Sequence, residues 1–239
     1  MTAWRFVRTA VVLFLGSGVL VGLYWTLLNV PESSVTALLL SALLALTLAL
    51  VMGTTLALAM AASEGLPARQ AAGRALAALP LFILGVGVFA ALWFVTTSFD
   101  SWWVVHRGEA DALAIRHLGI TRTEPAHTTV SWISWWLRWV LSLSAVLGLV
   151  ASTVARRASP LRAGLREAVR LWPLIAATTG VLLVTRGLWR LTQWRPHGLA
   201  PTQGEIYFSA AKLGTLAVLA LLIATAMVTV YQRSAARRT

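Results

Sequence analysis

The sequence predicts an all-α membrane protein with six transmembrane helices and both termini in the cytoplasm. Three observations support this prediction. Of the 239 residues, 58% are apolar and only 12% are charged, six segments are long apolar runs, and the arginines are concentrated in alternate connections between those runs. A soluble domain usually has about 25% charged residues. One globular core could not bury so much apolar surface, so the hydrocarbon of a bilayer is expected to cover it.

The six apolar segments are each long enough to cross a membrane. A spanning helix needs about 20 apolar residues, because the hydrocarbon core is roughly 30 Å thick. The first segment is too long for a signal peptide and no small-x-small cleavage pattern follows it, so we interpret it as a retained anchor. Residues 1–239 are therefore expected to form one integral membrane domain, with residues 99–129 as an outer loop. The predicted spans are 9–29, 35–61, 76–98, 130–154, 171–191 and 208–231.

The distribution of charge predicts the orientation of the chain. The N-terminus, the connections 62–75 and 155–170, and the C-terminal tail hold twelve arginines and two acidic residues. The other connections hold four arginines and six acidic residues. Because cytoplasmic loops are enriched in arginine and lysine, we expect the arginine-rich side in the cytoplasm and the chain in a bacterial inner membrane. The basic residues lie in short segments between apolar runs, so the net charge of +12 does not indicate a nucleic-acid partner.

The chain also has the pattern of two or three tandem two-helix repeats. Shifts of 93 and 69 residues each align several prolines, glycines and arginines. Repeats of two helices keep the same orientation, so an axis along the membrane normal would relate them. The aligned pairs are Pro67 with Pro160, Arg69 with Arg162, Pro80 with Pro173 and Gly87 with Gly180 at the first shift, and Arg5 with Arg74, Gly16 with Gly85 and Gly18 with Gly87 at the second.

Three arginines lie within the predicted spans, where charge is costly and usually functional. Arg138 lies in the fourth segment with Ser134 on the same helical face, and Arg186 and Arg190 share a face of the fifth segment with Thr179. Guanidinium groups bind carboxylates and phosphates through two parallel hydrogen bonds, so we predict an outward-facing cationic pocket for an anionic ligand. Alternatively, the arginines extend to the interface or pair with acids at helix ends. Those acids are Asp100, Glu124 and Glu205.

A group of tryptophans covers one face of the fourth segment. Trp132, Trp135, Trp136 and Trp139 follow the i, i+3, i+4, i+7 spacing of a single helical face. Such a group is typical of the aromatic belt that contacts lipid at a membrane interface. A docking face for a partner helix or for a flat apolar cofactor is the alternative.

Residues 160–172 form an amphipathic segment on the arginine-rich side. Apolar residues follow one helical face and three arginines follow another, as in helices that lie at the headgroup boundary. The segment is therefore predicted to contact anionic lipid, and the alternative is a helix that docks on a cytoplasmic partner. The three arginines are Arg162, Arg166 and Arg170.

Motifs for catalysis, metals and nucleotides are absent from the sequence. The chain has no cysteine, which excludes disulfides and thiolate metal sites, and it has no P-loop and no HExxH. No acidic residue lies near the middle of an apolar segment, which disfavours ion-coupled transport. The acid–base or metal candidates of residues 99–129 are such by residue type only, and their spacing matches no known site; they are His106, Glu109, Asp111, His117 and His127. We therefore expect no metal and no cofactor.

Three functions remain open at this point. The first is a non-enzymatic, permease-like or accessory subunit of a membrane complex, whose partners are membrane lipids and other membrane or cytoplasmic subunits. The second is a stand-alone channel or carrier for an anionic or lipidic solute that uses Arg138 and Arg186. The third is an outward-facing enzyme that acts on a lipid-linked substrate and uses Asp111 or His127.

Overall fold

The computed structural model describes residues 2–31, 34–119, 122–193 and 203–237, and these residues form helices without strands. Six of the described helical stretches are long and apolar enough to cross a membrane. This confirms the prediction of an all-α chain with six helices of the length and hydropathy that a membrane span needs. The helices are α1 (Ala3–Leu28), α2 (Val35–Glu64), α3 (Ala68–Leu118), α4 (Glu124–Trp136), α5 (Ser142–Val154), α6 (Pro160–Ala168), α7 (Leu171–Leu182), α8 (Trp189–Gln193) and α9 (Gln203–Ala236).

The ends of α2 follow from local capping chemistry. The Ser34 hydroxyl accepts a hydrogen bond from the backbone N–H of Ala37 at 3.1 Å, which satisfies one of the N–H groups left free at a helix N-terminus. At the other end Gly65 adopts a left-handed conformation with φ of 83°, which glycine reaches without strain. α3 begins three residues after Gly65, at Ala68, and α2 and α3 pack side by side.

The predicted outer loop 99–129 is largely helical. α3 continues through Leu118 and α4 begins at Glu124, which leaves only residues 119–123 as a connection. The 51 residues of α3 correspond to about 75 Å of helix, more than twice the hydrocarbon thickness of roughly 30 Å. Hydropathy marks only the part of a helix that lies in hydrocarbon, whereas Ala, Leu, Glu and Arg favour helix in water as well. The C-terminal half of α3 therefore extends beyond the apolar layer.

α5 lies at the centre of the bundle, and most of its residues are buried. It contacts α3, α6 and α9, and more weakly α2 and α7. By contrast, α1 and the first half of α2 expose bulky apolar side chains such as Phe14, Leu39 and Leu43. Exposed apolar faces on spanning helices are the surfaces that hydrocarbon covers. The core that surrounds α5 includes Ala57, Met60, Phe82, Val140, Leu147, Val150, Ala151 and Tyr231.

Candidate functional site

Short π-helical segments interrupt two of the spanning helices. Leu137–Leu141 joins α4 to α5, and Leu183–Leu188 joins α7 to α8. Turns of this kind are rare and frequently lie at functional sites. One contains Arg138 and the other contains Arg186, so both bulges occur where a charged residue interrupts an apolar helix.

Arg138 forms an ion pair with the end of the apolar part of α3. Its Nη2 donates to Asp100 Oδ2 at 2.5 Å and its Nε donates to Thr96 Oγ1 at 3.1 Å. The guanidinium carbon lies 5.2 Å from the centre of the Trp93 ring, which adds a cation–π contact. The positive charge is therefore neutralised within the protein. The side chain of Glu205, a second predicted partner, lies outside the described part of the chain.

A small cavity of about 120 Å³ adjoins this ion pair. It has room for several water molecules, each of which occupies about 30 Å³ in the liquid. Pockets for drug-sized organic ligands are larger, typically about 300–1,000 Å³. The cavity therefore suits a hydrated ion pair better than an organic anion. Its lining residues are Asp100, Trp103, Val104, Ser131, Trp135 and Arg138.

The other predicted ligand-binding residues take separate positions. Arg186 is exposed, with its guanidinium carbon 5.1 Å from the centre of the Trp132 ring. Arg190 and Thr179 are also exposed. Ser134 is only 3% exposed, and its hydroxyl has no hydrogen-bond partner among the described residues. The two π-helical arginines thus contact different helices, since one turns toward α3 and the other lies against α4.

Three of the four tryptophans on the predicted belt pack inside the bundle, partly buried against the core. The Trp136 indole N–H donates to Thr178 Oγ1 at 3.2 Å on α7. Trp139 packs edge-on against Trp93 of α3, with ring centroids 5.0 Å apart. Trp132 alone of the four is well exposed, at 44%. The tryptophan face therefore lies mainly between helices, because it is the face that the fourth span presents to α3 and α7.

A carboxylate at the arginine-rich end of the bundle joins three helices. Glu64, the last residue of α2, accepts hydrogen bonds from Arg74 Nη1 at 2.8 Å and from Gln232 Nε2 at 2.5 Å. The same Arg74 nitrogen donates to the carbonyl oxygen of Val154 at 2.8 Å. These bonds satisfy the Glu64 carboxylate, whereas Arg74 Nε and Gln232 Oε1 have no partner among the described residues. The network thus fixes the ends of α2, α3, α5 and α9 relative to one another.

A second carboxylate holds the end of α9 against α6. Glu167 is 6% exposed and accepts hydrogen bonds from Arg170 Nη1 at 2.8 Å and from Ser234 Oγ at 2.6 Å. One turn earlier in α9, the hydroxyl groups of Tyr231 and Ser144 share a hydrogen bond. These α9 residues were not predicted to have a role. In the sequence, only the cluster of polar residues that ends the last apolar run indicates their position.

Helix α6 lies directly on α5 through two glycines. A Cβ atom on Gly148 would lie 2.5 Å from the carbonyl oxygen of Gly164. A Cβ atom on Gly164 would lie 2.7 Å from Leu149 Cα. Both distances are shorter than real Cβ contacts, so only glycine fits at these two positions. Small residues of this kind allow helix backbones to approach closely.

The outer face of α6 is exposed and amphipathic. Leu161 and Leu165 are 43% and 45% exposed, and Arg162 and Arg166 are exposed as well. The predicted amphipathic segment 160–172 is not one continuous helix, because α6 ends at Ala168 and α7 starts at Leu171. The exposed leucines and arginines of α6 nevertheless leave one amphipathic surface open, whereas Arg170 is held against Glu167.

Two of the five acid–base candidates, Asp111 and His127, are brought together at the opposite end of the bundle. His127 Nε2 lies 2.8 Å from Asp111 Oδ1, and the Trp103 ring centre lies 5.6 Å from that of His127. The contact joins the extended part of α3 to α4. Among the residues that the structure describes, groups of three or more His, Cys, Asp and Glu able to hold a metal ion are not found.

The arginine-rich end has more basic charge than its acidic residues neutralise. Glu64 and Glu167 pair with Arg74 and Arg170, whereas the arginines on the outer face of α6 remain exposed. Exposed guanidinium groups beside apolar side chains can bind anionic headgroups or an acidic protein surface. The chain matches no protein-family model, no curated protein and no solved structure.

Proposed function

We propose that this protein is a non-enzymatic, permease-like or accessory subunit of a membrane complex. The observation that carries the proposal is α6, a short amphipathic helix held on α5 through Gly148 and Gly164 with its leucines and arginines outward. A surface already fixed in place loses little conformational entropy on binding. The expected partner is a cytoplasmic or peripheral subunit with acidic and apolar side chains.

The proposal includes the orientation of the chain in a bacterial inner membrane. The arginine-rich end, which contains α6, the start of α1 and the end of α9, faces the cytoplasm because positive charge is retained on that side. The end with the His127–Asp111 contact then faces outward. The distribution of arginines along the sequence supports this orientation.

Labelling of single cysteines tests the orientation directly, because the natural chain has none. Ala158→Cys and Ala112→Cys each replace an exposed residue, one beside α6 and the other in the extended part of α3. A membrane-impermeant maleimide is expected to label the second variant in intact spheroplasts and the first only after permeabilisation. The reverse pattern would place the arginine-rich end outside.

We also propose that the chain contains two or three tandem two-helix repeats. The aligned prolines and glycines support this relationship. The aligned segments differ in conformation, because α3 is continuous from Ala68 through Pro80 whereas residues 160–173 are divided between α6 and α7. The break separates α6, whose outer face is the proposed partner-binding surface, from α7.

Charge reversal on α6 tests the subunit proposal. Native mass spectrometry of the protein extracted with its surrounding lipid is expected to show a second polypeptide at fixed stoichiometry. R162E/R166E should lose that polypeptide, because like charges would then face each other across the contact. R107E/R116E reverses two exposed arginines at the opposite end and should retain it. A wild-type chain that is always alone or paired only with itself would contradict the proposal.

Fewer contacts in the structure support the two alternative functions, the carrier and the outward-facing enzyme. A carrier that uses Arg138 as an anion site would need the free charge that Asp100 neutralises. An outward-facing enzyme has one contact in its favour, because His127 and Asp111 lie within hydrogen-bond distance as an acid–base pair requires. The same pair also joins α3 to α4, and this structural role alone explains the short distance between the two side chains.

A further inference from the structure

A basic cavity of about 610 Å³ lies between the start of α7 and the end of α9, at the arginine-rich end. Its lining combines basic and polar residues with apolar ones. The cavity is separate from the outer face of α6, so a ligand in it is independent of the proposed function. The basic and polar residues are Arg170, Arg233, Ser234 and Arg237, and the apolar residues are Leu171, Trp172, Pro173 and Val230.

Two of the three arginines in this cavity have unused donors. Arg170 is held by Glu167 and by the Ser234 hydroxyl, so it is fixed but already neutralised. Arg233 and Arg237 are exposed, lie one helical turn apart, and make no ion pair with any acid among the described residues. Two adjacent guanidinium groups with free donors match the oxygens of a phosphate group.

The backbone adds positive potential at the same place. The cavity contains the first residues of α7, and its N-cap residue Arg170 makes no side-chain capping hydrogen bond. The first N–H groups of a helix have no partner within the helix, and the helix dipole places partial positive charge there. An anion in the cavity would therefore meet both the arginines and the helix terminus.

The position of the cavity along the bundle indicates the source of the anion. One spanning stretch begins at Leu171 and another ends at Ala236, so the cavity lies where hydrocarbon gives way to headgroups. Leu171 and Trp172 beside it are 68% and 73% exposed and provide an apolar surface for acyl chains. Tryptophan favours this interface. We propose that the cavity binds the phosphate of an anionic phospholipid, with Arg233 and Arg237 as the phosphate ligands.

Lipid titration of the full-length protein tests this site. Phosphatidylglycerol and phosphatidylcholine would be added separately to the detergent-purified protein, and bound lipid would be counted by native mass spectrometry. Wild type should prefer phosphatidylglycerol. R233A/R237A should bind it at least about tenfold more weakly, since charge-assisted hydrogen bonds are lost. R5A/R69A removes two exposed arginines from the same end and should change the affinity by less than about twofold.

Any one of the following results would overturn the assignment. An equal loss in R5A/R69A would mean that only the general surface charge matters, and equal affinity of wild type for both lipids would remove the anionic preference. Displacement of phosphatidylglycerol by inorganic phosphate, with saturable phosphate binding in the absence of lipid, would assign the cavity to free phosphate. If R233A/R237A melts below wild type, R233K/R237K replaces it. That variant should also bind more weakly because lysine lacks the bidentate fork, and unchanged affinity would contradict the proposal.

Discussion

Replacing Asp100 with leucine is expected to destabilise the protein by about 2–3 kcal/mol, because Arg138 would keep its charge inside the bundle without a carboxylate. The Arg138 side chain is 19% exposed and that of Asp100 is 40% exposed. Breaking a fully buried pair costs about 3–5 kcal/mol, and water near Asp100 reduces that cost. The hydrogen bond from Arg138 to Thr96 remains, but its neutral oxygen cannot replace the lost charge.

Reversible unfolding in detergent, monitored by tryptophan fluorescence, measures this loss of stability. The double variant D100L/R138L should lose less stability than the sum of the two single variants, because it leaves no unpaired charge. Glu109→Gln removes an exposed acid from the same helix and is the matched control. If D100L were as stable as E109Q, the ion pair would behave like one on an open surface, where such pairs contribute little.

The six spans were predictable because the cost of placing polar backbone and charge in hydrocarbon applies to every residue. Hydropathy therefore located all six spanning helices without knowledge of their neighbours. The extension of α3 to Leu118 was not visible in hydropathy, since helix formation outside the bilayer depends on propensity and on the stop at Gly119. Hydropathy alone predicts a loop at residues 99–129, whereas helix propensity predicts a helix there.

The candidate site was only partly predictable, for a different reason. Periodicity shows which residues share a face, as with Ser134 and Arg138, but it does not show which helix that face meets. Asp100 was predictable as one of the acids at helix ends that could pair with Arg138, and it does pair with Arg138. The π-helical turn around Arg138 changes which side chains face α3, and no residue pattern indicates such a turn. The contacts of Tyr231 and Gln232 also depend on tertiary packing.

Replacing Gly148 with valine is expected to destabilise the protein by about 3 kcal/mol, at the upper end of the usual effect of overpacking. The new Cβ atom would lie 2.5 Å from the Gly164 carbonyl oxygen and 3.1 Å from the Ala168 nitrogen. These are backbone atoms, so no side-chain rotation relieves the contact and α6 has to move away from α5. Thermal unfolding in detergent measures the loss of stability.

Gly87→Val is the matched control, because no atom lies within 4 Å of a Cβ atom at Gly87. Valine has a better helix propensity than glycine, so G87V should be at least as stable as wild type. G148V should also release the polypeptide that binds to the outer face of α6, while G87V retains it. If G148V unfolded like G87V, the close contact between α5 and α6 would not exist in the membrane. The outer face of α6 would then not be held in a fixed position, and the reason to propose that it binds a partner would be lost.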